Sequence, residues 1–257
     1  MKDVNILTNN GVDIKASLEF LGDMSMYDDT LNEFLNGINT KLDDIKKYKE
    51  ASDMPNYAIQ VHSLKSDAKY LGFSKLADLA FQHEMESKNN NVEFVNSNYD
   101  SLIAEANRVL SVVKQYTGDS QAATQAVQPT STSNKTILVA DDSDIIRNFV
   151  NKTFSQDYQV LYAKDGQETI NAMQSNQNIV ALLLDLNMPK VDGFQVLDFM
   201  NQSGLFNKIP VSIITGDDSK DTIDKAFTYP ITDVLQKPFN EMNIKAVVDK
   251  MLAINQN

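Results

Sequence analysis

Ile137-Leu138-Val139-Ala140-Asp141-Asp142-Ser143 is a short apolar run that ends abruptly in two carboxylates and a hydroxyl. Apolar residues in unbroken succession predict a strand covered on both faces, because a half-exposed strand would alternate. A helix is predicted from Ser143. The pattern then repeats to the C-terminus. Val160-Leu161-Tyr162-Ala163 precedes a helix over 166–175, and Ile179 through Leu184, the most apolar run of the chain, precedes a helix over 194–200. Val211-Ser212-Ile213-Ile214 and Val234-Leu235 supply two more strands, with helices near 219–227 and 240–254. Continuous apolar strands separated by helices predict an α/β domain over residues 135–257, a doubly wound five-stranded parallel sheet.

Chemistry in such sheets gathers at the carboxyl ends of the strands. Asp141 and Asp142 end the first strand, Asp185 the third, Thr215 the fourth and Lys237 the fifth. Three carboxylates on one edge repel each other unless a cation sits among them, and hard oxygen donors suit Mg²⁺. A carboxylate so placed can attack phosphorus, with Lys237 and Thr215 available to phosphoryl oxygens. Taken singly, Asp142 or Ser143 could be a helix cap, Thr215-Gly216-Asp217 a turn and Lys237-Pro238 a surface loop. Their joint placement at successive strand ends favours chemistry.

Upstream the composition changes. Residues 117–134, rich in Ser, Thr, Gln and Ala, have no apolar period and predict a flexible linker. Residues 1–116 predict an all-α antiparallel helical bundle. Leu31, Phe34, Leu35, Ile38, Leu42, Ile45 and Tyr48 recur at helical spacing from Ser25 to about Lys49. A second helix follows Asp53 as N-cap, with Pro55 in its first turn, and stops at Gly72. Ser74 is expected to cap a third, and a fourth spans about Val92 to Tyr116. Met24, Met26 and Met85 are expected to fill the core.

On the second helix Tyr57, Val61, Leu64, Ala68 and Leu71 form one apolar stripe, and His62 lies off it. Lys65, Ser66 and Lys69 follow His62 by three, four and seven residues, which predicts a shared solvent-facing strip. An exposed imidazole between ammonium groups suits transient phosphorylation. Spacing alone favours an ordinary surface histidine beside ordinary lysines. His83 falls beside Leu76, Leu79 and Ala80, where a packing role is expected.

Residues 135–257 resemble the receiver domain of bacterial response regulators, especially the stand-alone chemotaxis type. The matching segments are Val139-Ala140-Asp141-Asp142-Ser143, Asp185-Leu186-Asn187-Met188-Pro189-Lys190-Val191-Asp192-Gly193, Ile214-Thr215-Gly216 and Lys237-Pro238-Phe239. The resemblance implies a flavodoxin-like receiver in which Asp185 is the phosphoacceptor. It implies Mg²⁺ held by Asp142, Asp185 and the Asn187 backbone carbonyl, with Asp141 acting largely through water. It also implies a cis peptide before Pro238. Val234 stands where the family usually carries Tyr or Phe, which leaves no aromatic switch at that position. His62-Ser63-Leu64-Lys65-Ser66-Asp67-Ala68-Lys69-Tyr70-Leu71-Gly72 resembles the signature of histidine phosphotransfer (HPt) domains, with Ser66 in place of the commoner Gly. That resemblance implies that His62 carries phosphate.

The net charge of −12 argues against nucleic acid as a partner, because backbone binding needs a concentrated basic surface. The absence of cysteine excludes disulfides and thiolate chemistry. No apolar stretch approaches membrane-spanning length, so no membrane insertion is expected, and the expected location is cytoplasmic. No glycine-rich phosphate loop or kinase motif is present, so the chain is expected not to be an enzyme that draws phosphate from ATP. The expected function is a two-component phosphorelay between His62 and Asp185. Phosphate would arrive from a sensor histidine kinase or other phosphorelay protein, and output would be contact with a downstream protein. One alternative makes the bundle a docking module with an inert His62. Another is a Mg²⁺-dependent phosphohydrolase, against which Asn187 counts, since such enzymes place a second acid two residues after the nucleophile.

Overall fold

The computed structural model describes residues 2–118, 133–217 and 219–254. The chain divides into two compact units, Met1–Gln125 and Ala126–Asn257. Most of the expected linker, 119–132, lies outside the described residues.

In the first unit, α1 (Asn5–Thr8) and α2 (Ile14–Leu21) lead into four long helices: α3 (Met24–Glu50), α4 (Met54–Tyr70), α5 (Ser74–Lys88) and α6 (Val92–Thr117). Each of the four packs on two of the others, α3 on α4 and α6, and α5 on α4 and α6, which closes a four-helix bundle. Capping sets the boundaries. The carboxylates of Asp23 and Asp53 accept from the amides of Met26 (2.9 Å) and Asn56 (3.3 Å), and the Asn91 side chain accepts from Phe94 (3.1 Å). Gly72 stops α4 with a φ of +72°, and a Cβ there would lie 2.3 Å from the Asp13 carbonyl oxygen.

Some expectations fail locally. Ser74 is the first residue of α5 rather than its cap, because Phe73 occupies the cap position and makes no side-chain capping bond. Helices α1 and α2 were not expected; α2 is capped by Asp13, whose side chain accepts from the Ala16 amide. Met24 and Met26 are half-buried and Met85 is 45% exposed, so none fills the core.

The second unit is a parallel sheet of β1 (Thr136–Ala140), β2 (Gln159–Ala163), β3 (Ile179–Leu184), β4 (Val211–Thr215) and β5 (Asp233–Gln236), in the order β2-β1-β3-β4-β5. The intervening helices are α7 (Asp144–Phe154), α8 (Gly166–Ser175), α9 (Gly193–Gln202), α10 (Lys220–Ala226) and α11 (Glu241–Ile254). Met173 of α8, Val196, Leu197 and Met200 of α9 and Ala226 of α10 join the strands in one core. The Phe149 ring of α7 meets Phe239, two residues before α11, with centroids 5.9 Å apart. The architecture is the expected one, an all-α bundle followed by a flavodoxin-like doubly wound α/β unit.

Candidate functional site

The sheet order makes β1, β3, β4 and β5 successive neighbours, so residues at or just past their C-terminal ends share one edge. Backbone pairing fixes each in place. The Asp141 amide donates to the Ala163 carbonyl (3.0 Å), the Asp185 amide to Ala140 (2.8 Å) and the Lys237 amide to Thr215 (2.8 Å). Asp141, Asp185 and Thr215 are fully buried. Lys237 Nζ lies 2.6 Å from Asp141 Oδ2 and 2.7 Å from Asp185 Oδ2, and its peptide to Pro238 is cis. Asp142 is half-buried beside them, and Asp141, Asp142 and Asp185 each present an oxygen within 4.8 Å of the others.

Electrostatics show what this edge lacks. Burial pushes the Asp141 carboxyl up to about 6, Lys237 opposes that and the nearby Asp185 charge adds to it. Burial would lower the Lys237 ammonium, yet Asp141 and Asp185 hold it well above the usual lysine value. Three carboxylates against one ammonium leave a net charge of −2, which a divalent cation with oxygen ligands would neutralise. The residues therefore fit Mg²⁺. Anion donors are also present: Asn187 Nδ2 is buried without a hydrogen-bond partner among the described residues, next to the Asn187 amide that donates to Asp185 Oδ1 (3.2 Å).

Three supports were not legible from motif spacing. Arg147 of α7 donates through Nη1 to the Asp141 carbonyl at 2.5 Å and pairs with Asp144. Lys190, with a φ of +64°, reaches back 2.5 Å to buried Asp165, the cap of α8. A Cβ on Gly193 would lie 2.3 Å from the Asp185 carbonyl oxygen, so only glycine lets α9 begin this close to Asp185.

The first unit holds a separate cluster, and here one expectation is overturned. His62, Lys65 and Ser66 are 1%, 3% and 3% exposed and do not form a solvent-facing strip; of the four, Lys69 alone is exposed. The cause is α5, which packs along that side of α4 and presents Glu84, itself 2% exposed. Glu84 Oε1 lies 2.7 Å from His62 Nδ1 and 2.7 Å from Lys88 Nζ, and Oε2 lies 2.6 Å from Lys65 Nζ. Burial alone would raise the Glu84 carboxyl. The hydrogen bond and charge of His62, with Lys65 and Lys88, hold it well below the usual carboxylate range. Burial lowers the Lys65 ammonium, against the pull of Glu84. Ser66 Oγ donates to the His62 carbonyl within the helix (3.2 Å).

Glu84 was missed from the sequence although a signal existed. It shares the buried side of α5 with Ala77, Ala80 and Ser87, and a carboxylate on a buried stripe demands a buried cationic partner. His83, 1% exposed, faces elsewhere: its Nδ1 lies 2.7 Å from Tyr57 Oη and its ring packs on Phe94, the packing role expected. Among the described residues, no helix is long and apolar enough to cross a membrane.

Comparison with known proteins bears on the second unit. Residues 137–249 match the family described as response regulator receiver domain. Response regulator RR06 of Streptococcus pneumoniae is 34% identical over 123 residues, covering 46% of this chain and 55% of that protein. The CAI-1 autoinducer sensor kinase/phosphatase CqsS of Vibrio cholerae is 36% identical over 104 residues, 40% of this chain and 15% of that protein. Chemotaxis protein CheY1 of Helicobacter pylori is 28% identical over 121 residues, 46% of this chain and 98% of that protein. The chain thus spans about half of RR06 and a small part of CqsS.

Proposed function

We propose, from a C-terminal unit that is a response regulator receiver domain, that this chain relays phosphoryl groups between Asp185 and His62 in two-component signalling. The observation that carries the reading is Lys237 bridging Asp141 and Asp185 at 2.6 and 2.7 Å on a buried edge of net negative charge. Asp141, Asp142, Asp185 and the Asn187 backbone carbonyl would hold Mg²⁺, which supplies charge neutralisation for the transferring phosphoryl group. An Asp185 carboxylate oxygen attacks phosphorus, an O–P bond forms, and the donor's N–P bond breaks with its electron pair retained on nitrogen. Lys237 moves its ammonium onto a phosphoryl oxygen, and the Thr215 hydroxyl donates to another.

Residues 1–116 act, in this reading, as an HPt-like bundle with His62 as the phosphate carrier, set among Lys65, Ser66 and Lys69, and 117–134 act as the linker. Glu84 accepts a hydrogen bond from the His62 Nδ1–H, which leaves Nε2 as the nucleophilic nitrogen. The phosphoryl source is a sensor histidine kinase or another relay protein, and the output is a downstream protein partner. Receiver domains are phosphoacceptors rather than kinases.

The burial of His62 favours a second reading, in which the bundle only docks partners and His62 is inert. Replacing His62 by Gln and following labelled phosphate separates the two. The relay reading expects Asp185 to label while label on the bundle disappears; equal bundle labelling in both proteins would remove His62 from the account.

A further inference from the structure

A nucleophile 1% exposed cannot meet a phosphorus atom carried by another protein surface unless something moves. Glu84 and Lys65, which meet His62 at Nδ1, and the ring over Lys65 differ widely in how firmly they are held. Glu84 is fixed by His62, Lys65 and Lys88, each within 2.7 Å, and Lys65 is 3% exposed with its ammonium 2.6 Å from Glu84 and 3.4 Å from His62 Nδ1. Over that ammonium lies the Phe81 ring, its centroid 5.7 Å away. Phe81 is 47% exposed although it is a large apolar side chain, and Met85, one turn further along α5, is 45% exposed.

We propose that Phe81 controls access to His62: its ring is the outer layer over Lys65, and it must swing away before a phosphoryl donor reaches the imidazole. The inference rests on the relay reading for its purpose, though not for its test. A cation–π contact at a half-exposed site is among the weakest in this cluster, whereas parting Glu84 from His62 or Lys65 would strand buried charge. Rotation of the Phe81 side chain therefore offers the least costly opening. It leaves Lys65 paired with Glu84, so the movement uncovers the nucleophile without stranding either charge. His62 Nε2 then forms the N–P bond, the acyl O–P bond of the donor breaks, and its electron pair leaves on the carboxylate.

The chain's two histidines make the test internal, since His83 is equally buried but lies against Tyr57 and Phe94. The full chain and Phe81→Ala are treated with diethylpyrocarbonate, and modification of each histidine is followed by peptide mass spectrometry. No phosphate is involved, so failure of the relay and failure of the gate are read separately. Access through a minor open state makes the modification rate follow the population of that state. His62 should react slowly in the full chain and about tenfold faster in Phe81→Ala, with His83 unchanged. A His62 in the unaltered chain that reacts like free imidazole, or one that Phe81→Ala does not accelerate, overturns the gate. Should both histidines accelerate together, the bundle has loosened, and Phe81→Leu decides: it keeps an apolar cover without a π face, so a His62-selective rise supports the gate and none overturns it.

Discussion

Glu84 Oε1 accepts from His62 Nδ1 across 2.7 Å, joining α5 to α4 through two side chains that are both almost fully enclosed. The same carboxylate neutralises buried Lys65. Removing its charge leaves an ammonium in the interior with no counterion, a defect of about 3–5 kcal/mol. Glu84→Gln is therefore expected to lower the unfolding free energy of the first unit, read from urea melts at neutral pH, by that amount. A loss below about 1 kcal/mol, the range of exposed pairs, would show that the cluster is open to solvent.

The pH dependence of the bundle should carry the signature of His83. Burial lowers its folded pKa, with a smaller opposing contribution from the Asn98 backbone. A depressed base binds its proton more readily in the unfolded chain, so stability is fully present above the unfolded value of about 6.5 and declines as pH falls below it. Urea melts at decreasing pH should show this decline in the unaltered chain and a smaller one in His83→Gln. Identical slopes would mean that His83 is not shielded.

Much of this architecture could be read before any coordinates. The first and third strands of the second unit are built on unbroken apolar runs, and the four strand-end positions were found because chemistry must gather where parallel strands terminate. The side of α4 that holds His62 was misread for a physical reason. Amphipathic reasoning assigns polar residues to solvent, but Lys65 and Asp67 face partners on other helices, Glu84 on α5 and Lys41 on α3. A helix with neighbours on several sides buries charge in pairs, and the pairing is invisible within its own sequence. Lys190 and Asp165 were missed likewise, since they stand 25 residues apart and meet only through the sheet topology.

Lys237 sits where a cation is required whether or not metal is bound. Lys237→Met leaves Asp141 and Asp185 buried without their ammonium and should destabilise the second unit by about 3–5 kcal/mol in metal-free buffer. Because Mg²⁺ would then replace the lost ammonium as counter-charge, saturating metal should raise the thermal midpoint of the variant more than that of the unaltered chain. Equal metal-induced shifts would contradict a shared charge balance.

Gly193 is the structural backstop of Asp185. Alanine there places a methyl 2.3 Å from the Asp185 carbonyl oxygen, which forces the loop or α9 to shift. Gly193→Ala is expected to cost about 1–3 kcal/mol, the usual range for overpacking, and to slow phosphorylation at saturating Mg²⁺. Unchanged stability and rate would show that α9 yields without moving Asp185.

The central claim is that Asp185 is esterified beside a divalent cation. The most direct test incubates the full chain with a phosphorylated sensor histidine kinase and maps the phosphate by mass spectrometry, with Mg²⁺ and with the metal chelated. The account predicts phosphate on Asp185 that requires Mg²⁺ and is absent from Asp185→Asn. Phosphate that appears equally without metal, or in Asp185→Asn, would contradict it.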